Sequence, residues 1–294
     1  MKGRDELMNQ ALPIHGGRRR QPFRPSKMLI YLALIAICAI NMFPFFWLVR
    51  SSLMSRTEIF AQPMHWIPEQ LRWQNYHEAL VSAPFLTYFK NSLILVCLNI
   101  LGKLLSSSLC AFGFARIKFR GRGFFFALIM ITMMIPGSVL LIPQFIMWNR
   151  LGLYNTYAPL IVPSFFLDAF YIFLLKQFFS TIPLDYDEAA TIDGANLFHI
   201  YLRILLPMCK PALMTVGVFT FMNTWNDFMG PLIYLKSSSL YTVSLGLQVF
   251  IGEYITDWHY MMAASTVSIL PMIVIFFFAQ RYFIQGITFT GLKG

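Results

Sequence analysis

Charged side chains are scarce in this 294-residue chain. Asp, Glu, Lys and Arg make up 12% of it, about half the ~25% usual in soluble domains. A conventional water-soluble fold is thereby disfavoured. Cysteine is equally thin. The four present, Cys38, Cys97, Cys110 and Cys209, lie singly in apolar stretches, with no C-x-x-C spacing, so neither a disulfide framework nor a cysteine metal site is expected. The five histidines are scattered as well. A phosphate-binding loop is also missing. The one Gly-Lys pair, Gly102-Lys103, has Cys97 where the first glycine belongs and Leu104 where the hydroxyl belongs. No nucleophile, base and orienting acid form a visible set, so no enzyme and no catalytic residue is expected.

Apolar length is what the chain has in abundance. Hydrophobic residues reach 57%, with 30 Phe and 17 Met, and the mean hydropathy is +0.60. About 20 mostly apolar residues carry a helix across a bilayer. That measure predicts an all-α integral membrane protein with six transmembrane helices, at 28–49, 88–115, 123–147, 156–179, 205–235 and 260–284. The runs are too long and continuous for barrel strands.

The net charge of +10 is placed like a topology signal rather than a nucleic-acid surface. Residues 1–27 carry Lys2, Arg4, Arg18, Arg19, Arg20, Arg24 and Lys27 against two acids, and the loop after the second run carries Arg116, Lys118, Arg120 and Arg122 with no acid. Positive charge stays on the cytoplasmic side. The loops after runs one and five, where acids match or outnumber bases, fall outside. Both termini are thus expected inside, with 1–27 a basic cytoplasmic tail, 28–294 the membrane domain, and membrane lipid rather than nucleic acid as the surrounding partner.

On that topology the polar stretch IPLDYDEAATIDGANLF, which begins at Ile182, is cytoplasmic. Asp185 and Glu188 have the spacing of an Asp-initiated capping box, and Asp185, Asp187 and Glu188 suit the positive end of a helix dipole. Ala189 and Ala190 propagate the helix and leave a flat face; Gly194 supplies a left-handed stop. On capping alone, an ordinary interfacial helix is the slightly better explanation of the stretch.

The spacing goes further. Glu188-Ala189-Ala190, three residues, Gly194, nine residues, Ile204, one residue and Leu206-Pro207 resemble the EAA loop of permease subunits of ATP-binding-cassette (ABC) importers. IDGA at 192–195, FMNTWNDFMGPLIYL at 221–235 and the terminal RYFIQGITFTGLKG resemble the carbohydrate-uptake branch, nearest to the second permease of maltose-type systems. The resemblance runs from the first span to the C-terminus and implies a type I importer permease fold, working by alternating access as a multi-pass protein of the bacterial cytoplasmic (inner) membrane. Its coupling helix, at about 185–196, would meet the ATPase through Asp185, Glu188, Ala189, Ala190, Asp193, Gly194, Leu206 and Pro207. The tail residues Thr290, Gly291, Lys293 and Gly294 would reach the same partner. Implied partners are a homologous second permease forming a heterodimer, an ATPase dimer that supplies ATP and Mg with none bound by this chain, and an extracytoplasmic solute-binding protein touching the outer loop at 51–87. The implied cargo is an oligosaccharide, neutral or acidic.

Polar residues inside the spans are the remaining signal. A mid-bilayer charge costs about 2.5–3.5 kcal/mol on insertion scales, so such groups face a bundle interior or a wet path. Asn99, Lys103, Asp168, Asn223, Trp225, Asn226 and Asp227 are therefore candidates for the translocation pathway. Inter-helix contacts, including a Lys103–Asp168 pair, explain them as well. An ion-coupled secondary carrier is the alternative function; it calls for an intramembrane relay and often inverted repeats, and neither is visible.

Overall fold

The structure, a computed structural model, describes the backbone of residues 25–252 and 256–290 and the side chains of 27–252 and 256–280. The chain divides into two units, Met1–Trp47 and Leu48–Gly294. Most of the basic tail, residues 1–24, lies outside the described residues.

Within the first unit the helix that begins at Pro25 is mostly apolar and keeps Pro44 in its interior. The Asn41 amide donates to the Ile37 carbonyl at 2.8 Å, which satisfies a polar side chain within its own helix, as a span requires.

The second unit is all-helical. Among the described residues the one trace of β structure is an isolated bridge between Ile251 and Thr256. Its centre is the helix Phe85–Arg116, which packs against Ala169–Thr181 and Lys210–Asn226; the latter in turn packs against Trp258–Thr290. Two apolar clusters fill the interior. One gathers Phe112, Leu175, Phe179, Ile200, Leu205 and Val216 near the Arg116 end. The other gathers Phe85, Tyr88, Phe221, Trp225, Val243 and Phe250 near the Phe85 end.

Among the described residues four helices are long and apolar enough to span a membrane, or up to six spans if two bent pairs each count as one. Those pairs are where sequence and structure part. The sequence predicts an unbroken third span over 123–147, but Arg122–Thr132 and Gly137–Arg150 meet at 92°. Pro136 precedes the second piece in extended backbone, φ −60° and ψ 130°, because the ring offers no N–H and fixes φ. The predicted fifth span at 205–235 is likewise three pieces. Leu197–Met208 joins Lys210–Asn226 at 77°, with Pro211 in the first turn of the latter, and Met229–Tyr234 is a separate short helix.

Candidate functional site

The Asp185–Ile192 helix connects the Ala169–Thr181 helix to the bent pair that follows. Its start differs from the capping expectation. Leu184 occupies the cap position with helical dihedrals and no side-chain bond, and its carbonyl accepts from Asp187 N at 2.8 Å and Glu188 N at 3.0 Å. Asp185 is therefore inside the first turn, and the Asp185–Glu188 box does not form. The three acids still lie where the helix dipole is positive.

The other end matches its expectation. Gly194 has φ +82°, Ala195 N donates to Ala190 O at 2.9 Å, and Gly194 N donates to Thr191 O at 3.0 Å. These are the paired 6→1 and 5→2 bonds of a Schellman stop. A methyl group at Gly194 would meet nothing within 4 Å, so the backbone twist, not crowding, calls for glycine. Asn196 then caps Leu197–Ile200, its Oδ1 accepting from His199 N at 2.8 Å.

The two alanines part company. Ala190 is 9% exposed and belongs to the inner apolar cluster with Phe179, Ile182 and Ile200. Ala189 faces out. A shared flat alanine face is thus corrected: Ala190 seats the helix on its own bundle. Asp185, Glu188, Asp193 and Gly194 are exposed. Beside them stand Leu184, Tyr186, Leu197 and Phe198, with Ile192 87% exposed. Leu206 packs against the inner cluster while Pro207 is exposed; Leu206 therefore supports the helix from below.

A cation missed by the sequence reading completes the site. Arg116 Nη2 donates to the Ile182 carbonyl at 2.8 Å, and Arg116 Nε lies 2.8 Å from Asp187 Oδ2. Burial pushes the Asp187 carboxyl up; Arg116 pulls it down by less, and Glu188 pushes it up further. The available signal was a single cation ending an apolar run, read above as topology alone.

Of the intramembrane polar residues, Lys103 and Asp168 pair at 2.7 Å, with side chains 21% and 25% exposed. Asp168 is not mid-helix. It caps Ala169–Thr181, its Oδ1 accepting from Tyr171 N at 3.3 Å. Asn223 Nδ2 reaches the Tyr171 hydroxyl at 3.5 Å, which joins it to this group. Asn226 is exposed and donates to its own helix at Met222 O. Asp227 accepts from Gly230 N at 3.0 Å, at the start of the next short helix. Two candidates are buried among the described residues. Trp225 is 3% exposed, stacked on Phe221, with Nε1 donating to Ser268 O, and Asn99 is buried at 7%. The Thr290 side chain and residues 291–294 lie outside the described residues. Among the described residues no group of three His, Cys, Asp or Glu could hold a metal.

Comparison with known proteins gives a consistent picture. Residues 104–289 match the family described as "Binding-protein-dependent transport system inner membrane component". A probable ABC transporter permease protein, YurM of Bacillus subtilis, is 35% identical, with 91% of this chain and 87% of the relative covered. The arabinooligosaccharides transport system permease protein AraQ of Halalkalibacterium halodurans is 32% identical over 94% of this chain and 99% of that one. Among solved structures, a chain of a bacterial ABC transporter involved in import of the acidic polysaccharide alginate superposes with a TM-score of 0.79. It is 23% identical, covering 89% of this chain and 99% of the other.

Proposed function

The chain belongs to the binding-protein-dependent transport system inner membrane component family, and from that premise we propose that it is the permease through which an ATP-driven importer moves an oligosaccharide into the cell. It is a multi-pass inner-membrane permease of an ABC transporter, a class whose partners include an ATPase and a solute-binding protein. The observation that carries the proposal is the Asp185–Ile192 helix. It is stopped by Gly194, seated by Ala190, and offers acids and Ile192 to a neighbour.

In the proposed mechanism, ATP and Mg are held by a pair of ATPase subunits, with none bound here. Their closure moves this helix, and the bundle behind it exchanges an inward opening for an outward one. The face bearing the helix is cytoplasmic, in keeping with the basic residues at 1–27 and 116–122. A homologous permease supplies the other half of the pathway. Exposed Asn223 and Asn226, with the Lys103–Asp168 pair, are groups a hydrocarbon surface would not tolerate, so this polar stripe faces the pathway or the second permease. On the outer side a cavity of about 420 Å³, lined by Arg56, Arg72, Glu78 and Asp257 among others, offers charged groups to the binding protein. The cargo is a carbohydrate, neutral or acidic.

Purification tests the proposal. The tagged chain should bring down an ATPase, and vesicles holding the complex and its binding protein should take up arabino- or uronate oligosaccharides only with ATP. A chain that purifies without an ATPase, or uptake indifferent to ATP, refutes it.

A further inference from the structure

Arg116 ends the helix Phe85–Arg116, and its side chain is 4% exposed. One guanidinium holds two points there. The Ile182 carbonyl lies just past the Ala169–Thr181 helix, and Asp187 stands in the first turn of Asp185–Ile192. The first contact is a directed hydrogen bond; the second is an ion-pair contact in which Arg116 Nε makes no hydrogen bond. The ends of three helices are tied at one side chain.

The tie does little for stability. Burial raises the Asp187 carboxyl more than Arg116 lowers it, and both Arg116 Nε and Asp187 Oδ1 are buried without a hydrogen-bond partner. Apolar groups of similar size often hold buried surfaces together at least as well as an ion pair, and Phe179, Ile182 and Ala190 already supply an apolar seat nearby. Apolar surfaces slide over one another, however, whereas a guanidinium hydrogen-bonded to a carbonyl and in close contact with a carboxylate resists separation of the two helix ends it joins. The central helix has further polar ties along its length. Ser108 and Tyr201 share a hydroxyl bond at 2.7 Å, and Lys103 is paired with Asp168.

We propose that Arg116 is the positioning residue that couples displacement of the Asp185–Ile192 helix to the Phe85–Arg116 helix at the centre of the permease. The proposal rests on the reading of Asp185–Ile192 as the ATPase contact. Its content is that the moving helix pulls on the bundle through this buried ion pair and the hydrogen bond beside it, and that looser packing in its place would let the motion dissipate.

The test uses the complete transporter in lipid nanodiscs, with ATP hydrolysis measured with and without the solute-binding protein, whose signal has to cross the permease to reach the ATPase. Arg116→Gln and the near-isosteric Asp187→Asn should assemble with the ATPase yet lose about tenfold in stimulation by the binding protein, within the usual range of coupling strengths. Arg116→Lys, which keeps the charge but cannot reach the carbonyl and the carboxylate with separate nitrogens, should recover part of it. Should Arg116→Gln fail to assemble, Asp187→Asn decides alone. Assembled variants with full stimulation overturn the proposal, as does a lower yield of complexes that each respond normally. An unaltered chain that binds no ATPase refutes the functional reading instead.

Discussion

Replacing Lys103 by Met leaves Asp168 as a carboxylate without its cation inside a span. The two side chains touch at 2.7 Å and are 21% and 25% exposed. Removing one member of a fully buried pair costs about 3–5 kcal/mol. Here the partial exposure, and the Tyr171 amide that still donates to Asp168, reduce the expected loss to about 2–3 kcal/mol. Asp168→Asn alone should cost less, because Asn also caps helices well and the lone ammonium can reach water along its flexible stem. The double variant removes both charges and keeps the cap, so it should return to within about 1 kcal/mol of the unaltered chain. Reversible unfolding in SDS, run as a double-mutant cycle, measures this directly, with an expected coupling of about 2 kcal/mol. Uptake by the double variant then separates the two readings of the pair. Normal abundance with lost uptake places it on the pathway; normal abundance with normal uptake makes it an inter-helix tie. The reasoning fails if Lys103→Met is as stable as the unaltered chain, or if the double variant is no better than the single.

Gly194→Ala forces a Cβ into the left-handed region at φ +82°, at about 1–2 kcal/mol. It should loosen the end of the helix and lower uptake while membrane levels hold; uptake at the unaltered rate would count against a need for this stop. Glu188→Lys changes an exposed side chain and should leave insertion and unfolding untouched, yet reduce the ATPase retained on purification. Equal retention would remove Glu188 from the contact. Because burial lifts the folded-state Asp187 carboxyl above its ordinary 3.8, the folded chain binds the extra proton first as the pH drops. The folded state thus gains stability as pH falls into the window just above the ordinary value and loses it as pH rises back through it. SDS unfolding between pH 7 and about pH 4 should show that slope, and Asp187→Asn should flatten it; a slope that survives the substitution assigns it elsewhere.

What could be read along the chain was whatever a local run of residues specifies. Apolar length gave the helical membrane class, and the glycine after a short Ala-bearing segment gave the left-handed turn at Gly194, since both follow from backbone geometry within a few residues. The bends illustrate the limit. Pro136 and Pro211 were visible, but membrane helices tolerate proline when neighbours satisfy the freed carbonyls, so the residue alone cannot say whether a run continues or turns by 92° or 77°. Trp225 and Asn226 show a related limit. Adjacent helical positions point about 100° apart, and Trp225 turns inward to Phe221 while Asn226 stays exposed, a split that two neighbouring letters do not disclose. The Arg116 tie was the least legible feature. Its partners lie 66 and 71 positions away, and a basic residue at the end of an apolar run is already explained by topology. A residue that satisfies one rule completely gives no local sign that it also serves a second, and only its neighbours in space disclose it.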